Sequence, residues 1–185
     1  MTLARKSTKK SAPLDLDGLM NYAARALSAR SQTISELRVK LKRRAAAASD
    51  VDEVLQRLKE IGYLNDQRFA ESLASWKRDN QGIGKTRVMR DLLARRVAPA
   101  LAKKAADSAY ASADEPAMIE QFLARKYRGK NLPELLREEK HLASAYRKLR
   151  LAGFSSGNSI RILKRYAGAE RLESIDPDAE EASGE

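Results

Sequence analysis

Gln81 to Thr86 read QGIGKT, the residue types that close a phosphate-binding loop. Such a loop, G-x-x-x-x-G-K-[ST], wraps backbone N–H groups around phosphates and brings a lysine to them. Gly84, Lys85 and Thr86 satisfy its end, but Asp79 stands at the first glycine position. A carboxylate there repels phosphate and removes the tight turn. The loop also needs a preceding buried strand, whereas residues 71–79, ESLASWKRD, are polar and helical in period. The competing reading is a helix–helix joint in which Gly82 and Gly84 permit positive φ. Lys85 then opens a helix, where its charge opposes the dipole and an external anion is the expected partner.

No other catalytic constellation is visible. His141 is the only histidine and sits among charged residues, so a metal site lacks further ligands. No G-x-S-x-G elbow accompanies it. Glu138 and Glu139 read as solvated charges. Cysteine is absent, which excludes disulfides and thiolate metal sites and permits a reducing compartment. No enzyme activity, cofactor or metal is expected.

The basic residues carry more information. Arg38, Lys40, Lys42, Arg43 and Arg44 crowd one predicted helix, and Lys85, Arg87, Arg90, Arg95 and Arg96 another. Arg147, Lys148 and Arg150 lie on a third, and Arg161, Lys164 and Arg165 on a fourth. A solvated helix more often mixes signs at i, i+4. One-sided charge suits phosphate contacts, which supply affinity but little sequence readout. Aromatics make up only 5% and most fall on predicted inner faces, so base stacking is a minor term. The bland alternative is a surface charged for solubility.

The charge is also unevenly placed along the chain. Net charge is +11, but residues 170–185 hold seven acids against one base. Residues 1–169 therefore carry 35 basic and 18 acidic residues, a net +17, which suggests a polyanionic partner. No apolar run approaches the roughly 20 residues that span a bilayer. The N-terminus has no apolar h-region, so no membrane association and a cytoplasmic location are expected.

The elements that must position these charges are helices. Hydrophobic residues make up 43% of the 185, with only nine glycines and five prolines, the profile of an all-α protein. Leu19, Tyr22, Ala23, Ala26 and Leu27 have the spacing of a half-buried helix ending near Arg30. Thr33 and Glu36 form a capping-box pattern for a second. Ser49 or Asp50 is the expected cap of a third, which Gly62 stops. A fourth begins near Asp66 with Phe69, Leu73 and Trp76 inward, and NQGIG breaks it. A fifth spans Lys85 to Arg96. Pro99 and Pro116 open a sixth and a seventh. After the turn RGKNLP, an eighth ends at Gly153, and Ser155 or Ser156 caps a ninth. Helix–link–helix patterns recur every 50 to 60 residues or so, a spacing compatible with three-helix repeats. The expected organisation is a disordered basic arm (1–17), repeats at 18–62, 63–112 and 113–169, and a disordered acidic tail (170–185).

Residues 62–77, GYLNDQRFAESLASWK, resemble the signature of the RecX family of bacterial recombination regulators. Residues 82–97, GIGKTRVMRDLLARRV, resemble its glycine turn and following basic helix. Residues 146–163, YRKLRLAGFSSGNSIRIL, resemble its C-terminal repeat, and TISELRVKL, 33–41, fits its first. Asn65 stands where Asp is usual, Lys85 where Pro is common, and Arg96 where a glycine is expected. The resemblance implies an elongated, curved array of three three-helix repeats without catalytic residues. It implies binding to the RecA nucleoprotein filament on single-stranded DNA, with suppression of strand exchange, ATPase and coprotease activity. The sixteen basic residues named above would be the contacts to DNA or filament, double-stranded DNA is a second candidate ligand, and a monomer is expected. The alternative reading is a helix-turn-helix DNA-binding repressor or architectural protein, and a third is an ATP-using enzyme acting through Gly84–Thr86.

Overall fold

The computed structural model describes residues 12–167, and the expected tail and most of the basic arm lie outside them. The described residues form an all-α fold of ten α-helices and one π-helical turn. They gather into two compact units, one of residues 12–69 with 95–97, the other of residues 70–94 with 98–167.

In the first unit, α1 (Leu16–Ala29), α2 (Ile34–Lys42) and α3 (Ala48–Glu60) pack as a three-helix bundle. Leu19 and Ala23, Leu37 and Leu41, and Val51, Val54, Leu55 and Leu58 are each helix's apolar stripe, closed by Leu64. Each fully buried leucine contributes about 1.5–3 kcal/mol. Asp15 caps α1 by accepting from the Gly18 amide at 2.9 Å. Thr33 and Glu36 cap α2 as the sequence predicts, each side chain taking a backbone N–H of the other. Neither Ser49 nor Asp50 caps α3; it starts one residue beyond Ala47, which offers no side-chain bond. Residues 14–17, placed by sequence in the arm, belong to the body. The Leu14 amide donates to the Arg44 carbonyl at 2.7 Å and the Ala46 amide to the Leu14 carbonyl at 2.8 Å.

The second unit contains most of α4 (Asp66–Trp76), the π turn Lys77–Gln81, α5 (Lys85–Ala94) and α6 (Pro99–Tyr110). It continues with α7 (Glu115–Lys126), α8 (Leu132–Leu135), α9 (Glu139–Leu151) and α10 (Ser156–Ala167). The core of α7–α10 is large and partly aromatic. Ile119, Leu123, Leu136, Leu142, Leu149, Phe154, Ile162 and Leu163 are buried, and Phe122 meets Phe154 edge-to-face at 5.6 Å. The buried residues of α4–α6 are smaller: Ala70, Ala74, Ala102, Ala105, Ala106 and Ala109 around Val88 and Leu92. Trp76, expected inward, is 50% exposed; Ala70 and Ala74 occupy the inner face of α4. α8, a single turn opened by Pro133 within what reads as a loop, is too short to show a period.

Candidate nucleic-acid interface

The QGIGKT joint is built by packing. Gly82 adopts φ 55°, as expected. Gly84 has no positive φ; its requirement is space, since a Cβ there would collide with the Gly153 carbonyl. Gly153, at φ 90°, would in turn meet the Arg87 backbone. The Gly84 amide donates to the Ala152 carbonyl at 2.8 Å and the Thr86 amide to the Gly153 carbonyl at 3.2 Å. Amides that would hold phosphate are thus occupied by the C-terminal carbonyls of α9, an end-to-end match of two helix dipoles. Tyr110 donates its hydroxyl to the Ile83 carbonyl at 2.6 Å. Burial pushes that hydroxyl's pKa up to about 12, so it remains a donor. Lys85 finds an internal partner in place of the external anion expected from sequence: Asp107, at 2.6 Å. Asp107 also pairs with Lys103 at 2.7 Å, and hydrogen bonds from Lys103 and Lys85 bring its pKa down to about 2.

Several other cations of the candidate set are internally engaged. Arg38 pairs with Asp52, and Arg44 lies over the Tyr22 ring at 5.7 Å. Arg87 pairs with Asp91 at 3.1 Å. Arg90 donates to the Leu151 carbonyl at 3.2 Å, and Arg150 to the Phe154 carbonyl at 2.7 Å. Lys148 sits over the Tyr127 ring at 4.9 Å. Arg161 donates to Asn158 at 2.9 Å, and Arg165 pairs with Glu120 at 2.8 Å.

Arg95 is the most committed of all. The chain leaves the helix at Ala94, two residues before the expected end. Arg95 grips Glu36 through two bonds of 2.6 and 3.0 Å, donates to the Ser31 carbonyl at 3.1 Å, and covers the Phe69 ring at 4.9 Å. Its own carbonyl accepts from the Thr33 hydroxyl at 2.9 Å. Asp66 completes the lock by accepting from the Ile34 amide at 2.8 Å. Burial opposes the charge on Glu36, but Arg95, the Thr33 amide and Arg30 outweigh it and hold the carboxyl below its ordinary range. Burial dominates at Asp66 and raises its pKa.

Six candidates have no side-chain partner among the described residues: Lys40, Lys42, Arg43, Arg96, Arg147 and Lys164. Three of them follow one another along α2 and its C-cap, and all but Lys40 are exposed. Arg96 is the one described non-glycine residue with positive φ, 60°. Lys126, Arg128 and Lys130, around the Gly129 turn, are exposed and have no side-chain partner among the described residues. Sequence reasoning passed over them because RGKNLP reads first as a turn, although their run of charge was visible. Among the described residues His141 approaches Glu138, at 3.3 Å. Among the described residues no group of His, Asp and Glu side chains is arranged to hold a metal, and no helix is long and apolar enough to cross a membrane.

Known proteins resemble the chain in both sequence and fold. The sequence models of the first and second three-helix domains of RecX match residues 20–58 and 65–105. Regulatory protein RecX of Trichlorobacter lovleyi is 34% identical over 58% of this chain and 70% of its own length. Regulatory protein RecX of Deinococcus radiodurans is 33% identical over 75% of this chain, which spans 63% of that protein. The crystal structure of RecX from Lactobacillus salivarius superposes with a TM-score of 0.62 at 18% identity, over 82% of this chain and 96% of that one. A second crystal structure, of a regulatory protein RecX, gives a TM-score of 0.65 at 18% identity, over 80% and 72%. With those three-helix domains matched in order and a third of the residues shared with RecX proteins over most of its folded body, the chain belongs to the RecX family of regulatory proteins.

Proposed function

We propose that this protein binds the RecA filament on single-stranded DNA and restrains its strand exchange, ATPase and coprotease activities in cytoplasmic DNA repair and the SOS response. Three helical repeats, 18–62, 63–112 and 113–169, present the contacts, and the protein acts as a monomer without catalysis of its own. The observation that carries this reading, beside family membership, is the run Lys40, Lys42 and Arg43. A folded protein leaves adjacent cations without carboxylate partners at a cost in self-repulsion. A polyanion relieves that cost by giving up its counterions. The internally paired cations contribute less, because an external phosphate must first displace their acids.

The test is ATP hydrolysis by RecA on single-stranded DNA, followed as this protein is added below stoichiometry. The expected result is a fall in rate, weakened in the Lys40→Ala/Lys42→Ala/Arg43→Ala variant. That variant should also lower the salt slope of single-strand binding by about 2. An unchanged ATPase at saturation refutes the reading. Strong preference for one duplex sequence favours a helix-turn-helix repressor in its place.

A further inference from the structure

Around Lys40, Lys42 and Arg43 no large apolar side chain of α2 is exposed. In the second unit, Leu151 is 63% exposed and Leu93 40%. Arg90 joins the two elements that carry these leucines. Arg90 donates to the Leu151 carbonyl, and Leu93 lies three residues beyond Arg90 on α5, on the same outward side. Along α9, Lys140, Arg147 and Leu151 form a single outer stripe, opposite buried Leu142, Ala145 and Leu149. Lys140 and Arg147 are exposed, and neither has a carboxylate partner among the described residues.

We propose that this α5–α9 face is the surface that meets a protein, and that its partner carries carboxylates around an apolar centre. The inference rests on the reading of the chain as a filament-binding regulator and assigns one face to the filament's polypeptide component. Phosphate gains nothing from an aliphatic neighbour, and a DNA backbone leaves Leu93 and Leu151 wet. A protein surface dehydrates both leucines and satisfies Arg147 and Lys140 at the rim. Exposed leucines with flanking arginine fit the makeup of protein interfaces better than that of phosphate tracks.

The sign of one substitution separates the two ligands. Leu151→Lys adds a cation and removes the apolar contact. On a DNA-facing surface it strengthens binding; on a protein-facing surface it weakens it. The full-length protein and its Leu151→Lys and Leu93→Ser/Leu151→Ser variants are titrated in parallel onto an oligo-dT strand and onto a RecA filament assembled on that strand. The expected result is unchanged or slightly tighter binding to the bare strand, with about a tenfold loss on the filament for either variant. Equal loss on both ligands, no loss on the filament, or a gain there for Leu151→Lys overturns the proposal. A gain for Leu93→Ser/Leu151→Ser also overturns it, because it would place the chain's own acidic segment 170–185 on this face. Failure of the wild-type protein to bind the filament fells the function reading itself. Wild-type binding that the variants share fells only the assignment of this face.

Discussion

The two ends of α5 are secured by opposite means. At its start Gly84 lies against Gly153, and amides meet carbonyls with no side chain between them. Just past its end Arg95 reaches Glu36, Ser31 and Phe69 with a long charged side chain. The first contact works by the absence of atoms, the second by the placement of charge. In sequence the glycine end looks like ligand chemistry and the arginine end like a polyanion track, yet Gly84 and Arg95 both serve the fold. The lesson is that a functional residue type is recognised by what it lacks: the cations available to a partner are those, such as Lys42 and Arg96, that the fold has not already engaged.

This contrast can be broken most severely at the glycine end. Gly84→Ala pushes a methyl group into the Gly153 carbonyl, where only backbone can yield, and should cost about 3 kcal/mol or more. The loss, read from urea denaturation, should be indifferent to salt. Arg95→Ala leaves Glu36 without its main partner. A fully buried pair would lose about 3–5 kcal/mol, but Arg95 is 30% exposed, so about 2 kcal/mol is expected. Single-strand affinity should change far less than in the α2 triple variant.

Acid sharpens the same comparison. Glu36 has its folded pKa lowered from an ordinary value near 4.5. Its stabilisation is therefore complete above that value and fades as pH falls through the lower folded one. The stability gap between wild type and Arg95→Ala should narrow in acid, whereas the gap for Gly84→Ala should not. The smallest effect is expected beside the lock. Arg96 holds φ 60°, which disfavours a side chain by about 1–2 kcal/mol. Arg96→Gly should raise stability by about 1 kcal/mol while weakening single-strand binding. A rise in stability with affinity intact would show that Arg96 contacts no DNA.

Much of the fold was legible because local signals agreed with packing. The capping box at Thr33, the prolines at 99 and 116 and the left-handed glycines at 62 and 153 all stand at helix ends. Trp76 misled because apolar period assigns the largest side chain to the inner face, whereas α4 packs through Ala70 and Ala74. The site was harder to read. Local sequence displays the charge of Arg95 but hides Glu36, which lies far back along the chain. The Lys85–Asp107 and Arg165–Glu120 pairs are concealed in the same way. Lys40, Lys42 and Arg43 were legible as a cluster, but that no carboxylate of the described residues reaches them is a property of the folded surface alone.

The Gly84–Gly153 contact also bears on inheritance. Two positions far apart in the chain share one space, and neither can acquire a side chain while the other stays in place. Mutational drift at either site is closed until the backbone between α5 and α9 separates. Once it has separated, Gly84 is released, whereas Gly153, at φ 90°, still disfavours a side chain. Descendants of this sequence should therefore keep Gly153 wherever they keep Gly84, and a lineage that has lost Gly84 must hold α9 against α5 by some other means.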